Sequence, residues 1–161
     1  MVTPDLDKDF ERALTQHRLQ GKRILDLGTG SAVLAIGAAR LGGPELHVWA
    51  LDVDPVAVAV ARENVAGNGL ADRIMVEAGS LAGDSPLRRY DLIVANILAR
   101  VIIALAPALA AALEPGAPLI ASGIIAERGD EVALALAAAG LRLVERRADG
   151  DWLALVAIRD A

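Results

Sequence analysis

The sequence predicts an open α/β fold: a mostly parallel, seven-stranded sheet with helices on both faces, closed by an antiparallel hairpin. Three observations predict it. Short apolar runs alternate with helix-length stretches, a glycine loop follows the first run directly, and the last two runs flank an Asp149-Gly150 turn signal.

The elements follow in chain order. Residues 10–19 come after Asp5, Asp7 and Asp9 and are expected to form a leading amphipathic helix, with the acids near its positive end. Residues 23–28 are a short apolar run that breaks into glycines, the pattern of a buried strand. A helix over 31–41 should stop at Gly42-Gly43-Pro44. Residues 47–52 make the second strand. Asp54 then offers an N-cap and Pro55 the first helical position of a helix ending near residue 66, before Gly67-Asn68-Gly69.

Strands are expected over 73–78, 90–95 and 117–122, each apolar enough to be covered on both faces. A long Ala/Leu helix over 98–113, interrupted by Pro107, precedes the last of them. A helix over 127–139 closes at Gly140. The runs 141–147 and 151–158 form the hairpin, so the final strand should lie antiparallel to its neighbours. With no linker in the pattern, residues 1–161 are expected to be a single domain, residues 1–21 being its leading helical segment.

Composition narrows the chemistry. Without cysteine, the chain has no disulfide framework, thiolate nucleophile or Cys-based metal site. His17 and His47 lack the spacing of a metal pair, and Phe10 stands where a calcium loop opened by Asp5, Asp7 and Asp9 needs glycine; no metal is expected. A net charge of -5 and 2% aromatic residues disfavour a basic, base-stacking surface, so direct nucleic-acid binding is not expected. No apolar run approaches the ~20 residues of a spanning helix, and residues 1–9 lack the basic start and apolar stretch of a leader. The expectation is a soluble, cytoplasmic protein without a membrane partner.

In open α/β sheets the ligand sits beyond the carboxyl ends of the strands, where the strand order reverses. The first strand leaves through Asp26-Leu27-Gly28-Thr29-Gly30-Ser31-Ala32. Asp52 ends the second strand, where a carboxylate can accept both ribose hydroxyls of an adenosine-containing ligand. A dinucleotide fingerprint asks for a third glycine at position 33, which is Val33, and an acid at position 26 would repel a pyrophosphate. Asp26 suits a cationic ligand instead, and S-adenosylmethionine carries an ammonium and a sulfonium but no phosphate. Simpler roles stand beside these: Asp26 capping the loop by accepting N–H bonds, Asp52 as a solvated strand-end acid, and Asp54 as the helix cap.

The fourth strand delivers Asn96-Ile97-Leu98-Ala99 to the same sheet edge. The Asn96 amide oxygen there can accept hydrogen bonds from an incoming amine and aim its lone pair; the plainer alternative is an N-cap for the following helix. Trp152 begins the last antiparallel strand, and so reaches that edge either as a wall of an acceptor channel or as a hairpin anchor.

These residues resemble the class I S-adenosylmethionine-dependent methyltransferases, and within them the family that methylates ribosomal protein eleven of the large subunit. The matching stretches are Ile24-Leu25-Asp26-Leu27-Gly28-Thr29-Gly30-Ser31, Ala50-Leu51-Asp52-Val53-Asp54-Pro55 and Val94-Ala95-Asn96-Ile97-Leu98-Ala99. Weaker ones are Glu77-Ala78-Gly79-Ser80-Leu81, Ser122-Gly123-Ile124 and Gly150-Asp151-Trp152.

The resemblance implies a Rossmann-like methyltransferase fold with S-adenosylmethionine as cofactor. It implies cofactor contacts from Asp26, Gly28, Thr29, Gly30, Asp52 and Val53, adenine contacts near Gly79 and Ser80, and Asn96 at the junction of cofactor and acceptor. Ile97, Leu98 and Trp152 are implied on the acceptor side, and a lysine or N-terminal amine of a protein, a ribosomal protein among the candidates, as acceptor. Two alternatives stay open: methylation of a small molecule or another protein, and a non-catalytic cofactor-binding domain. Ala32 replaces the third glycine of the family pattern, and its methyl either crowds the cofactor or is tolerated. The family's Gly-, His- and Thr-bearing loop before the first strand has no counterpart here. The stretch before Gly21 is too short for the family's N-terminal recognition domain, so a catalytic domain alone is expected.

Overall fold

The computed structural model describes residues 21–81 and 88–161; the leading helix expected over 10–19 lies outside the described residues. Seven strands form the sheet, and the described residues fall into two compact units, 21–80 and 81 with 88–161.

The first unit alternates strand and helix: β1 (Arg23–Leu27), α1 (Val33–Leu41), β2 (His47–Asp52), α2 (Pro55–Gly67) and β3 (Ile74–Ala78). Its strands run parallel in the order β3-β2-β1, with Ile24 beside Val48 and Val48 beside Ile74. Ile24, Leu25, Val48 and Ala50 are buried with Ala35, Ala38 and Ala39 of α1. These small helix residues let α1 approach the sheet closely.

The helix signals act as read. Asp54 caps α2 by accepting from the Val56 N–H at 2.9 Å, with Pro55 at the start. Gly69, at φ +68°, turns the chain out of that helix while the Leu70 N–H closes on the Val65 carbonyl at 3.1 Å. The sequence did not announce Arg73, whose guanidinium donates to the carbonyls of Ala39, Gly43 and Leu46. A cation is thereby placed where the C-terminal carbonyls of α1 concentrate negative potential.

β3 departs from the expectation of two covered faces. Ile74 and Val76 are buried, whereas Met75 and Glu77 are exposed, because β3 pairs with β2 alone and is an edge strand. Arg62 donates to the outward Val76 carbonyl at 3.1 and 3.3 Å, occupying an acceptor that a foreign strand would otherwise find.

The second unit comprises β4 (Leu92–Asn96), α3 (Ala99–Ala112), β5 (Pro118–Ile125), a 3₁₀ turn (Ala126–Arg128), α4 (Gly129–Ala138), β6 (Leu141–Asp149) and β7 (Trp152–Arg159). Its strands lie in the order β4-β5-β7-β6. β4 and β5 are parallel, and β7 is antiparallel to both β5 and β6, as the Asp149-Gly150 signal predicts. Leu92, Ile93, Leu119, Ile120, Leu155, Ile102 and Leu109 are buried.

Three local expectations change here. Tyr90 makes an isolated bridge to Leu113 rather than opening β4. Pro107 does not interrupt α3: it lies on the exposed side, where solvent can satisfy the carbonyl it leaves unbonded, while Ile102, Leu105, Ala106 and Leu109 bury the opposite side. The expected helix over 127–139 divides into the 3₁₀ turn and α4.

Candidate active site

In the first unit, the glycine loop is held by its own amides. The N–H groups of Gly28 and Thr29 both donate to the Leu51 carbonyl, at 2.8 and 2.9 Å, and the Gly30 N–H donates to Asp52 Oδ2 at 3.0 Å. Three successive donors thus point into the protein. A phosphate is gripped by such N–H groups, so this loop is a poor phosphate cradle.

Asp52 does more than end a strand. Its Oδ1 accepts from the Asp54 N–H at 3.0 Å, so each carboxylate oxygen takes one backbone donor and keeps a lone pair. It is therefore neither a free solvated acid nor a spent one. The Gly79 N–H reaches the Asp52 carbonyl at 2.9 Å, which ties the end of β3, and Ser80 after it, to the end of β2. Next to Asp52, Val53 is 75% exposed and presents an apolar surface. A Cβ built on Gly30 or Gly79 would meet nothing within 4 Å: both backbones face open space.

Asp26 faces inward. It is 2% exposed, accepts from the Thr29 hydroxyl at 2.7 Å and takes the Ala35 N–H in the first turn of α1. The loop-capping role is thus observed. Burial pushes its carboxyl from 3.8 up to about 6, while the Thr29 hydroxyl and the Ala35 N–H pull the other way and the Asp52 charge adds a little more. Ala32 adopts φ +68°, a conformation that favours glycine, yet it is fully buried. Its methyl is enclosed by protein, which removes it as an obstacle on the loop's open side. Asn64, unmarked in the sequence reading, donates from α2 to the Ser31 carbonyl at 3.0 Å and fixes the loop's far end.

In the second unit, Asn96 ends β4 beside Ser122 of β5. It is not a helix cap: the N-cap of α3 is Leu98, which makes no side-chain cap bond. Its carboxamide instead leans over Gly123, with Oδ1 2.5 Å from where a Cβ on that residue would stand. Ile97 is half-buried and Leu98 58% exposed. Trp152, half-buried, pairs with Ile125 at the carboxyl end of β5 and with Asp149 of β6. Among the described residues no cluster of His, Asp and Glu could hold a metal, and no helix is long and apolar enough to cross a membrane.

A seven-stranded sheet with parallel strands, an antiparallel C-terminal hairpin, and an acid-and-glycine loop after its first strand is the class I methyltransferase fold. Comparison with known proteins narrows the class. The family profile described as Ribosomal protein L11 methyltransferase (PrmA) matches residues 11–160, and the chain belongs to that family.

The ribosomal protein L11 methyltransferase of Chloroflexus aurantiacus is 46% identical over 159 residues, covering 84% of this chain and 48% of the relative. That of Pelotomaculum thermopropionicum is 49% identical over 146 residues, covering 91% and 46%. The chain thus spans about half the length of the curated relatives it matches. A crystal structure of ribosomal protein L11 methylase from Lactobacillus delbrueckii subsp. bulgaricus superposes with a TM-score of 0.84 at 30% identity, covering 98% of this chain and 80% of that one. An RNA methyltransferase from Salinibacter ruber, solved with S-adenosyl-L-homocysteine, has a TM-score of 0.73 at 21% identity, covering 99% and 94%; it supports the fold alone.

Proposed function

We propose that this chain is the catalytic part of a protein N-methyltransferase that uses S-adenosylmethionine and acts on lysine or N-terminal amines of ribosomal protein L11. The observation that carries the reading is the loop held by Asp52: its amide donors are consumed internally, an acid with spare lone pairs stands at the end of β2, and open backbone lies at Gly30 and Gly79. That donor set fits a neutral ribose and a cationic tail, and it disfavours a dinucleotide.

S-adenosylmethionine, when bound, supplies a methyl group on a positively charged sulfur. Asp52 would accept the two ribose hydroxyls, and Val53, Gly79 and Ser80 would border the adenine. Gly28 and Gly30 would give the backbone close approach, on a turn that Asp26 and Thr29 brace from within. Asn96 would receive the acceptor amine on its carboxamide oxygen and orient the nitrogen lone pair, with Ile97, Leu98 and Trp152 bordering the acceptor. Asn96 does not titrate, so the amine must arrive neutral or lose its proton to water. Aligning nucleophile, methyl carbon and leaving sulfur is the main requirement of an in-line transfer, and such ordering contributes up to ~7–11 kcal/mol. The setting we propose is cytoplasmic.

Titration calorimetry with S-adenosylmethionine and with NAD tests the cofactor. The expected result is saturable binding of the first and none of the second; the reverse would refute the reading. Incubation of L11 with the labelled cofactor tests the acceptor, and methyl groups appearing on its amines are the expected product.

A further inference from the structure

The Ser122-Gly123-Ile124 stretch, set apart by the sequence, has no role in the account above. It lies where β5 loses step with β7: Ala121 pairs with Leu155 and Ile124 with Leu153, so β5 spends three positions against two. Ser122 and Gly123 are therefore in a β-bulge, a feature that re-aims side chains near functional sites.

Two observations converge on the neighbouring Asn96. Gly123 has φ +74°, and a Cβ there would stand 2.5 Å from Asn96 Oδ1 and 3.4 Å from the Ile97 carbonyl. The bare backbone of Gly123 is thus the seat on which the carboxamide rests. Ser122 is fully buried, and its hydroxyl has no hydrogen-bond partner among the described residues. An idle buried hydroxyl is unfavourable to folding. As the register partner of Asn96, Ser122 sends its side chain from the same face of the sheet.

We propose that the Ser122–Gly123 bulge is a positioning element for the Asn96 carboxamide. Gly123 provides the room that sets the carboxamide's place. Ser122 holds a hydroxyl in reserve for the carboxamide once the acceptor engages its oxygen. Both residues act through Asn96, and the proposal rests on the reading of Asn96 given above.

The test is a set of variants of the full chain, assayed for methyl transfer to L11 and for S-adenosylmethionine affinity. Gly123→Ala should lower kcat/KM at least tenfold while cofactor affinity stays within twofold. In an Asn96→Ala background the same substitution should change kcat/KM less than twofold, since the group it displaces is already gone. Ser122→Ala should lower turnover several-fold while the thermal midpoint holds or rises, a pairing that a merely structural serine does not give. Wild-type turnover in Gly123→Ala, or an equal loss in both backgrounds, overturns the proposal. Full turnover in Asn96→Ala refutes instead the role given to Asn96. If Gly123→Ala is destabilised, the Gly123→Ala/Asn96→Ala double variant, freed of the contact with Oδ1 though not of the backbone strain at φ +74°, should be the more stable of the two, and equal or lower stability overturns the seat. If L11 is not methylated by any form, the side-chain amide NMR signals of Asn96 decide. They should shift in Gly123→Ala and again in Ser122→Ala on acceptor-amine addition, and unmoved signals overturn the assignment.

Discussion

Replacing Asp26 by asparagine should change the pH dependence of stability in a way that its burial fixes in advance. The carboxyl ionises at about 6 in the folded chain against an ordinary 3.8. Below 3.8 it is protonated whether the chain is folded or not, and it costs nothing. Between 3.8 and about 6 the unfolded chain releases the proton and the folded chain retains it, so stability falls as pH rises by about 1.4 kcal/mol per pH unit. Above the folded value the full cost, about 3 kcal/mol, is in place. Most of it should develop between pH 4 and pH 7. With Asp26 only 2% exposed, solvent screening calls for no discount.

The assay is urea unfolding of wild type and Asp26→Asn at intervals across that range, without cofactor. Asparagine leaves an amide short of partners, which offsets the variant by a constant. The diagnostic is therefore the shape of the difference, which should tilt toward the variant as pH rises and level off near pH 7. Thr29→Val, which removes the hydroxyl that lowers the Asp26 value most, should carry the tilt to higher pH. Parallel profiles for wild type and Asp26→Asn would refute the reasoning, because they would mean that Asp26 ionises alike in folded and unfolded chains.

Other outcomes follow from the same geometry. Asp52→Ala should weaken S-adenosylmethionine binding by about 1.5–3 kcal/mol, read by calorimetry. It should also lower the thermal midpoint, because the N–H groups of Gly30 and Asp54 lose their acceptor. Asn96→Ala should reduce kcat far more than cofactor affinity, since alignment matters only during transfer; steady-state kinetics beside calorimetry checks the split. Gly42→Ala should destabilise by about 1–3 kcal/mol in urea unfolding. A Cβ there would meet Leu46 Cδ1 at 2.2 Å, and Leu46 is fully buried with no room to withdraw.

Legible in the sequence were the alternation of strand and helix, the hairpin, the cap at Asp54, the turn at Gly69, the positions of Asp52 and Asn96 at the ends of β2 and β4, and that of Asp26 one residue before the end of β1. These are local signals: a periodicity, a turn dipeptide, an acid before a proline, a glycine pair after an apolar run. Each is written within a few residues, because backbone conformation and side-chain alternation are set by near neighbours.

The remaining features depend on groups distant in the chain. Nothing around residue 62 says that an arginine will cover the carbonyl of Val76, and nothing near residue 73 points to carbonyls 30 residues back. That Asp26 braces its own loop was one of two open possibilities until burial against α1 settled where its carboxylate points. Edge position made β3 half-exposed, although its sequence reads like the buried strands beside it. Asn96 read equally well as a helix cap or an acceptor ligand. The structure removes the cap, because α3 begins only after Leu98, and the bulge on β5 leaves at Gly123 the space into which the carboxamide leans. A bulge is a mismatch between two strands, and no single strand's sequence contains it.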